Sequence, residues 1–404
     1  MSSTYDNQIY SIKLMKKALK IVGSLLIGAI VGFGIAFLLI WIIDGSAGFE
    51  KAMHKDFNVS KTAIAVVCSI VCLFVTFILH LAFHETGHML FGMATGYKFS
   101  SIRLWKFAIM KDDNGLHIKK FNIQGTGGQC IMTLPADTDT EQVPYFWYYA
   151  GGVLVNLILT AISFLILCTS DRGIVGDCFF YMLAFTGAMI ALMNGMPLSF
   201  NGLCNDGKCI LLLHKNKRSQ RLFLRMVQTA SEMARGKRPK DLPREWFEDI
   251  AIHSPKDYFL TCNRINYAAL LEDLGRFDEA RKVYEELAAF GKEMPGLMKL
   301  EIGADQILME LLTTARPDAV EQLYDKQLQT YIKSTYKYSP IKCAMLYALA
   351  LLRDNDKARA TQLLDEMESH RDGYLMAGEY HTARFLVEQC DARYSAGIIT
   401  SQNH

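Results

Sequence analysis

Residues 62–88 read TAIAVVCSIVCLFVTFILHLAFHETGH. From Thr62 to Phe83 no side chain is formally charged, and His80 is the only one that titrates near neutral pH. A run of this length and composition is a candidate membrane-spanning helix. It ends on His84-Glu85-Thr86-Gly87-His88, an HExxH pattern. Two imidazoles and a carboxylate at membrane depth are costly unless something compensates them. A metal ion does so. On a helix, residues four apart share a face, so His84 and His88 can each present a ring nitrogen to one Zn²⁺. Glu85, one residue off that face, can hold a water beside the metal and take its proton. The alternative, a polar face between packed helices, leaves a buried carboxylate uncompensated.

The chain has 404 residues, of which 51% are hydrophobic, yet its mean hydropathy is only +0.13. Both facts fit a chain that is half membrane and half soluble. Four apolar stretches are long enough to cross a hydrocarbon core of about 30 Å: residues 21–43, 62–83, 143–170 and 178–205. After Asp206 no such stretch recurs. The expected fold is therefore a polytopic α-helical membrane protein of about four transmembrane helices, followed by an all-α soluble domain. Residues 1–20 form an N-terminal segment, 21–214 the membrane core, and 215–404 the soluble part.

Lys and Arg in the short loops set orientation. Lys13, Lys16, Lys17 and Lys20 precede the first span. Lys98, Arg103, Lys106, Lys111, Lys119 and Lys120 lie between the second and third. Lys208, Lys215, Lys217, Arg218, Arg221 and Arg225 follow the fourth. The opposite side has only Lys51, Lys55, Lys61 and Arg172. Both termini are thus expected to be cytoplasmic, as is the HExxH end of the second span. The first span has a basic leader, but its apolar run is too long for a signal peptide and no small-residue cleavage site follows. It reads as a retained helix, with Gly28, Gly32, Gly34 and Ala36 making a small-residue face.

A catalytic zinc takes three protein ligands and keeps one position open. Asp206, in Asn205-Asp206-Gly207 at the end of the fourth apolar stretch, is the candidate third ligand. Helix breakers precede it, from Asn194-Gly195-Met196-Pro197 to Asn201-Gly202. Broken helices at membrane depth are tolerated where they are buried or line a wet cavity. Alternatively, Asp206 is merely the first residue in water. The third stretch opens with Gly151-Gly152 and contains Asn156. An Asn inside an apolar span is a functional candidate. Its amide can hold a substrate backbone, stabilise an oxyanion, or make an interhelical hydrogen bond. His80, one turn before His84, is a packing or hydrogen-bonding residue on the motif's face. The ten cysteines form no framework, and a cytoplasmic location predicts reduced thiols. Cys204 and Cys209 flank Asp206, but their spacing matches no familiar zinc pattern.

Together, His84–His88, Gly151–Asn156 and Asn205–Gly207, in this order, resemble the site-2 protease family of intramembrane zinc metalloproteases. The resemblance covers roughly residues 60 to 215. It implies His84, His88 and Asp206 as Zn²⁺ ligands and Glu85 as general base. It implies Gly151, Gly152 and Asn156 as the segment that meets substrate, with Asn156 also a catalytic candidate. It further implies an enzyme that hydrolyses peptide bonds in or beside transmembrane segments, signal peptides or peptide precursors, while the compact four-span design points to a bacterial cytoplasmic membrane. Two departures stand out. The family often has Gly-Pro where this chain has Gly151-Gly152, and Asn-Pro-Asp-Gly where Asn205 directly precedes Asp206. Both bear on backbone shape rather than on the ligands.

A peptide bond inside a helix is a poor substrate, because its carbonyl is hydrogen-bonded and shielded. Residues 97–105 and 116–123 have β-type alternation around Asp112-Asp113-Asn114-Gly115, a hairpin signal. Such a hairpin, in a region about 97–125, offers an edge on which an unwound substrate can add a strand.

From about residue 215 the pattern is polar and helical. Residues 266–280, with Leu274-Gly275 at a turn, look like a tetratricopeptide helix pair, and residues 347–360 are a weaker echo. The two are out of register, so the array is irregular or interrupted by helices around 298–314 and 320–332. Such stacks bind peptides or partner proteins, or simply brace a core. The basic run from Arg218 to Lys240 fits an anionic leaflet, and a net charge of +2 does not call for nucleic acid. The competing class is a non-catalytic membrane scaffold that holds a partner through its helical repeats. Glu85 argues against it, since a structural metal site needs no base.

Overall fold

The computed structural model describes residues 59–397, apart from 106, 113–114, 121–126, 136, 141, 170–171 and 201–202. The expected first span and the N-terminal segment lie outside the described residues. Helix α1 (Val59–Ala94) carries the HExxH motif. Four antiparallel strands follow: β1 (Lys98–Leu104), β2 (Phe107–Asp112), β3 (Gly115–Lys120) and β4 (Gly128–Thr133). Then come α2 (Tyr145–Thr169), α3 (Gly173–Gly195), a two-rung hairpin β5 (Ser199–Phe200) and β6 (Leu203–Cys204), and α4 (Asp206–Leu213).

Helices α1, α2 and α3 contain segments long and apolar enough to cross a membrane: Val66–Ala94, Tyr145–Thr169 and Gly173–Gly195. Their burial is inverted relative to a water-soluble core. On α1, Val71, Phe74 and Phe77 are exposed, Phe74 by 68%, while Thr76, His80, His84, Glu85 and His88 are each no more than 6% exposed. Polar groups face the helix neighbours and apolar ones face outward, the arrangement a hydrocarbon surround favours.

The fourth apolar stretch departs from expectation. It is helical only to Gly195. Pro197 and the residues after it turn the chain into β5 and β6, so Asp206 opens a new helix rather than ending a span. The strand region also holds more than one hairpin. The turn at Asp112–Gly115 joins β2 to β3, while β1 lies between β2 and β4 in the order β3-β2-β1-β4. Ile102 pairs with Ile109 on one side and Cys130 on the other. A positive φ at Trp105 turns the chain where β1 had been expected to end, so β2 begins two residues later. In β2, Ala108 and Met110 pack inward on Leu375, and Phe107 and Ile109 face out.

The C-terminal part is helical as expected: α5 (Lys217–Ala234), α6 (Tyr258–Asp273), α7 (Phe277–Ala288), α8 (Gly296–Leu312), α9 (Pro317–Leu323), α10 (Lys326–Thr335), α11 (Pro340–Ala348), α12 (Lys357–Ser369) and α13 (Ala377–Ser395). The α6–α7 turn uses Gly275 at φ +72°, a left-handed position that suits glycine. Ala268 and Ala280 are fully buried where the two helices touch. Between α11 and α12 the chain passes through a π-helical turn at Leu349–Arg353 and a left-handed Asn355, so this pair is less regular. An aromatic line, Tyr149–Phe223–Phe259 with centroids 5.5 and 5.8 Å apart, runs from α2 through α5 to α6. It makes the core continuous from the apolar helices into the helical domain.

Leu308 is fully buried on α8. Leu308→Ala is expected to lower stability by about 2–5 kcal/mol through lost burial and a residual cavity. Denaturant unfolding of the purified protein, followed by tryptophan fluorescence, checks this.

Candidate metal centre

His84 Nε2 lies 3.2 Å from His88 Nε2. Asp206 Oδ2 lies 3.1 Å from the first and 3.4 Å from the second. These atoms are the group of metal-ligand type among the described residues, and no cysteine joins it. The structure thus brings together the three residues singled out as ligands, from positions 118 or more residues apart along the chain for Asp206 and the histidines.

A cation fits this triangle. A tetrahedral ion with ligands at about 2.0–2.1 Å spaces its ligand atoms about 3.3 Å apart. Asp206 Oδ2 is buried with no hydrogen-bond partner, an expensive state for a carboxylate oxygen. Two imidazole nitrogens facing each other cannot both be acceptors without a shared cation. The ligands sit on the inner face of α1 and on α4, each buried or nearly so.

The other ring nitrogens are held in place. His88 Nδ1 is 2.7 Å from the Tyr148 carbonyl, which fixes Nδ1–H as the donor and leaves Nε2 free for a metal. His84 Nδ1 faces the Asn156 amide at 3.0 Å. The other end of that amide faces His80 Nδ1 at 3.1 Å, and His80 Nε2 is 2.8 Å from the Leu183 carbonyl. A half-turn of the amide interchanges its oxygen and nitrogen. One orientation satisfies every group with neutral imidazoles. The structure sets Asn156 Nδ2 at His84 Nδ1 and Oδ1 at His80 Nδ1; with the amide turned, His84 Nδ1–H would donate to Asn156 Oδ1, Asn156 Nδ2–H to His80 Nδ1, and His80 Nε2–H to Leu183 O. His84 Nε2 is then left with its lone pair toward Asp206. Both ends of the Asn156 side chain are engaged and the residue is fully buried. Its geometry supports orienting His84 rather than touching substrate.

Gly151 and Gly152 are placed against α1. A Cβ on Gly87 would fall 2.4 Å from the Gly151 carbonyl oxygen, and one on Gly152 would fall 2.6 Å from His84 Cε1 and 2.7 Å from His88 Nε2. The glycines let α1 and α2 approach backbone to backbone, and they make room for the imidazoles. Asp206 is aimed by Asn205, whose Oδ1 accepts from Leu198 N at 3.0 Å and Lys208 N at 2.9 Å. Its Nδ2 donates to the Met193 and Met196 carbonyls. One side chain thereby closes the end of α3 and caps α4. Gly207 is required as well, since a Cβ there would meet the Gly195 carbonyl at 2.1 Å.

Glu85 is 6% exposed and lies against β4. A Cβ on Gly128 would come within 2.5 Å of Glu85 Oε1. Tyr148 donates to the Cys130 carbonyl at 2.7 Å and stacks on Tyr97 at 4.9 Å, so α2 and the sheet are tied together beside the motif. In the sequence Gly87 shows only as part of the HExxH motif and Gly128 as the end of Gly125-Thr126-Gly127-Gly128, with no packing role marked for either. The visible signal for Tyr148 is the aromatic run Tyr145-Phe146-Trp147-Tyr148-Tyr149 at the start of α2. Comparison of the chain with family models, with curated proteins and with solved structures returned no match.

Gly152→Ala is expected to cut metal content to near background while Val153→Ala retains it. Asn156→Ala is expected to weaken metal affinity roughly 10–100-fold, the usual effect of removing an outer hydrogen bond to a ligand. Metal analysis of the purified variants by mass spectrometry, with competition against a chromophoric chelator, decides both.

Proposed function

We propose that this chain is an intramembrane zinc endopeptidase of the site-2 protease type, with His84, His88 and Asp206 as ligands. The observation that carries the reading is the triangle of ligand atoms set on the inner face of a helix whose outer face is apolar. Zinc bound there would polarise a peptide carbonyl and make a water acidic near neutral pH. Glu85, one position from His84 and against the sheet edge, then accepts a proton from the attacking water. It returns that proton to the leaving amine nitrogen. The Tyr148 carbonyl keeps the His88 imidazole in the tautomer that ligation needs, and Asn156 with its amide turned does the same for His84.

The sheet supports a route for substrate. β4 has β1 on one side and no strand on the other among the described residues. Its first residue, Gly128, touches Glu85. A substrate segment unwound from a helix can add to that edge through backbone hydrogen bonds, which brings an extended peptide beside the base. The substrate class that fits is a membrane protein, signal peptide or peptide precursor drawn laterally from the bilayer. The tetratricopeptide-like helices are the surface for a protein partner.

Glu85→Gln is expected to lower cleavage roughly 10²–10⁴-fold, the usual loss on removing a general base, while metal content stays at the wild-type level. Peptides and new protein termini are compared by mass spectrometry in cells making either form at equal levels. Termini inside or beside apolar segments, present only with wild type, support the enzyme. Identical termini with full metal content would instead favour a scaffold that holds a metal as a structural element.

A further inference from the structure

Helices α5, α6, α8, α11 and α13 enclose a cavity of about 350 Å³ in the helical domain. It lies apart from the metal centre and has a volume typical of small-ligand sites, which run from about 300 to 1,000 Å³. Four carboxyl groups line it: Glu272 on α6, Glu301 and Asp305 on α8, and Glu379 on α13. One cation, Lys342 on α11, lines it too, and its Nζ is already bonded to Glu301 at 2.9 Å. Glu301 also accepts from the Tyr331 hydroxyl.

Among the described residues the other three carboxyls form no ion pair. Tyr284, on α7, lines the same cavity, and Asp273, the neighbour of Glu272, is taken by Arg238. Glu272 is 3% exposed, and its Oε1 has no hydrogen-bond partner. Asp305 and Glu379 keep some accessible surface, and both line the cavity. Burial, reinforced by Asp273, pushes the Glu272 carboxyl up to about 7. Burial also raises Glu379 to about 7, against the pull of Lys342 and with the push of Glu301. Burial and the neighbouring carboxylates Glu272 and Glu301 hold Asp305 well above the usual range. An orphaned Glu272 oxygen, with two further acids that form no ion pair lining the same cavity, leaves a place for a positive charge.

The shape of the walls narrows what supplies it. The carboxyl oxygens do not converge as ligands on one point, because the group of that kind among the described residues is the His84–His88–Asp206 set. A bare divalent ion is therefore a poor fit. The rest of the lining is apolar, with Met226 and Met233 from α5, Phe247, and Ile265 from α6. Flexible thioethers and a phenyl ring beside acids suit an aliphatic stem that ends in a cation.

We propose that this cavity binds a primary ammonium group on an aliphatic stem, with Glu272, Asp305 and Glu379 facing the charge and the Met226–Met233–Phe247–Ile265 wall holding the stem. The source is a free aliphatic amine or a lysine side chain presented by a peptide.

The full-length protein in detergent is titrated calorimetrically, at matched ionic strength, with 1,5-diaminopentane, spermidine and a short acetylated peptide with one lysine. Saturable binding of at least one is expected, weakened at least tenfold by Glu272→Gln and, separately, by Asp305→Asn. Far-ultraviolet circular dichroism verifies that each variant folds, and Met233→Trp, which fills the cavity from its apolar side, is expected to block binding with the carboxyls intact. Binding near pH 7 should release protons, seen by repeating the titration in buffers of different ionisation enthalpy, because the cation draws the carboxyls into their charged form.

Without ligand, the melting temperature should fall as pH rises from about 4.5, where unfolded carboxyls begin to ionise, through about 7, where the folded ones do; a bound amine should flatten that slope. Binding by the free amines alone identifies a small-molecule site, and binding by the peptide alone identifies capture of a lysine side chain. No saturable binding of any of the three, binding unchanged in all three variants, or binding of Ca²⁺ or Mg²⁺ where the amines are inert overturns the proposal.

Discussion

The candidate site depends on the contact between Gly87 and Gly151, where α1 and α2 meet backbone to backbone. Any side chain there would push the helices apart. With Gly152 next to it, the contact sets His84 and His88 under the start of α2, and it brings the Tyr148 carbonyl and the Asn156 amide within hydrogen-bond range of their ring nitrogens. For helices long and apolar enough to cross a membrane, a hydrocarbon surround would not drive association by excluding water, and such small-residue contacts and interhelical hydrogen bonds would carry it. The placement of the candidate ligands His84 and His88 therefore depends on two glycines that contribute no functional group.

Asp206 is delivered by a different device. The chain leaves α3 at Gly195, makes the β5–β6 turn and starts α4 only when Asn205 has bonded to both ends of the break. Backbone groups freed at the end of a helix need partners, and Asn205 supplies them while aiming the next residue at the histidines. Gly207 must be small for α4 to come that near. The ligand triangle is thus the meeting of one continuous helix and one repaired break.

The helical domain is joined to this centre by packed aromatic rings from Tyr149 to Phe259 and by polar contacts, with Gln228 donating to the Pro135 carbonyl at 2.7 Å and Lys119 to the Tyr374 carbonyl at 3.0 Å. The sheet, whose β4 edge borders Glu85, is therefore braced by the same domain that contains the acidic cavity.

Local pattern was enough to find the apolar helices, the HExxH face, the candidate third ligand and the α6–α7 pair. Helix periodicity, chain length against bilayer thickness and turn chemistry are properties of neighbouring residues. What the sequence could not say is where β2 begins, that the chain beyond the breakers pairs as β5 and β6, or that Asn156 is engaged at both ends by His80 and His84. Strand order and interhelical hydrogen bonds join residues scores of positions apart, and no local period records them. The same holds for the acidic cavity. Glu272, Glu301, Asp305 and Glu379 each read as ordinary solvated helix residues, and only the packing of separate helices turns them inward on one another.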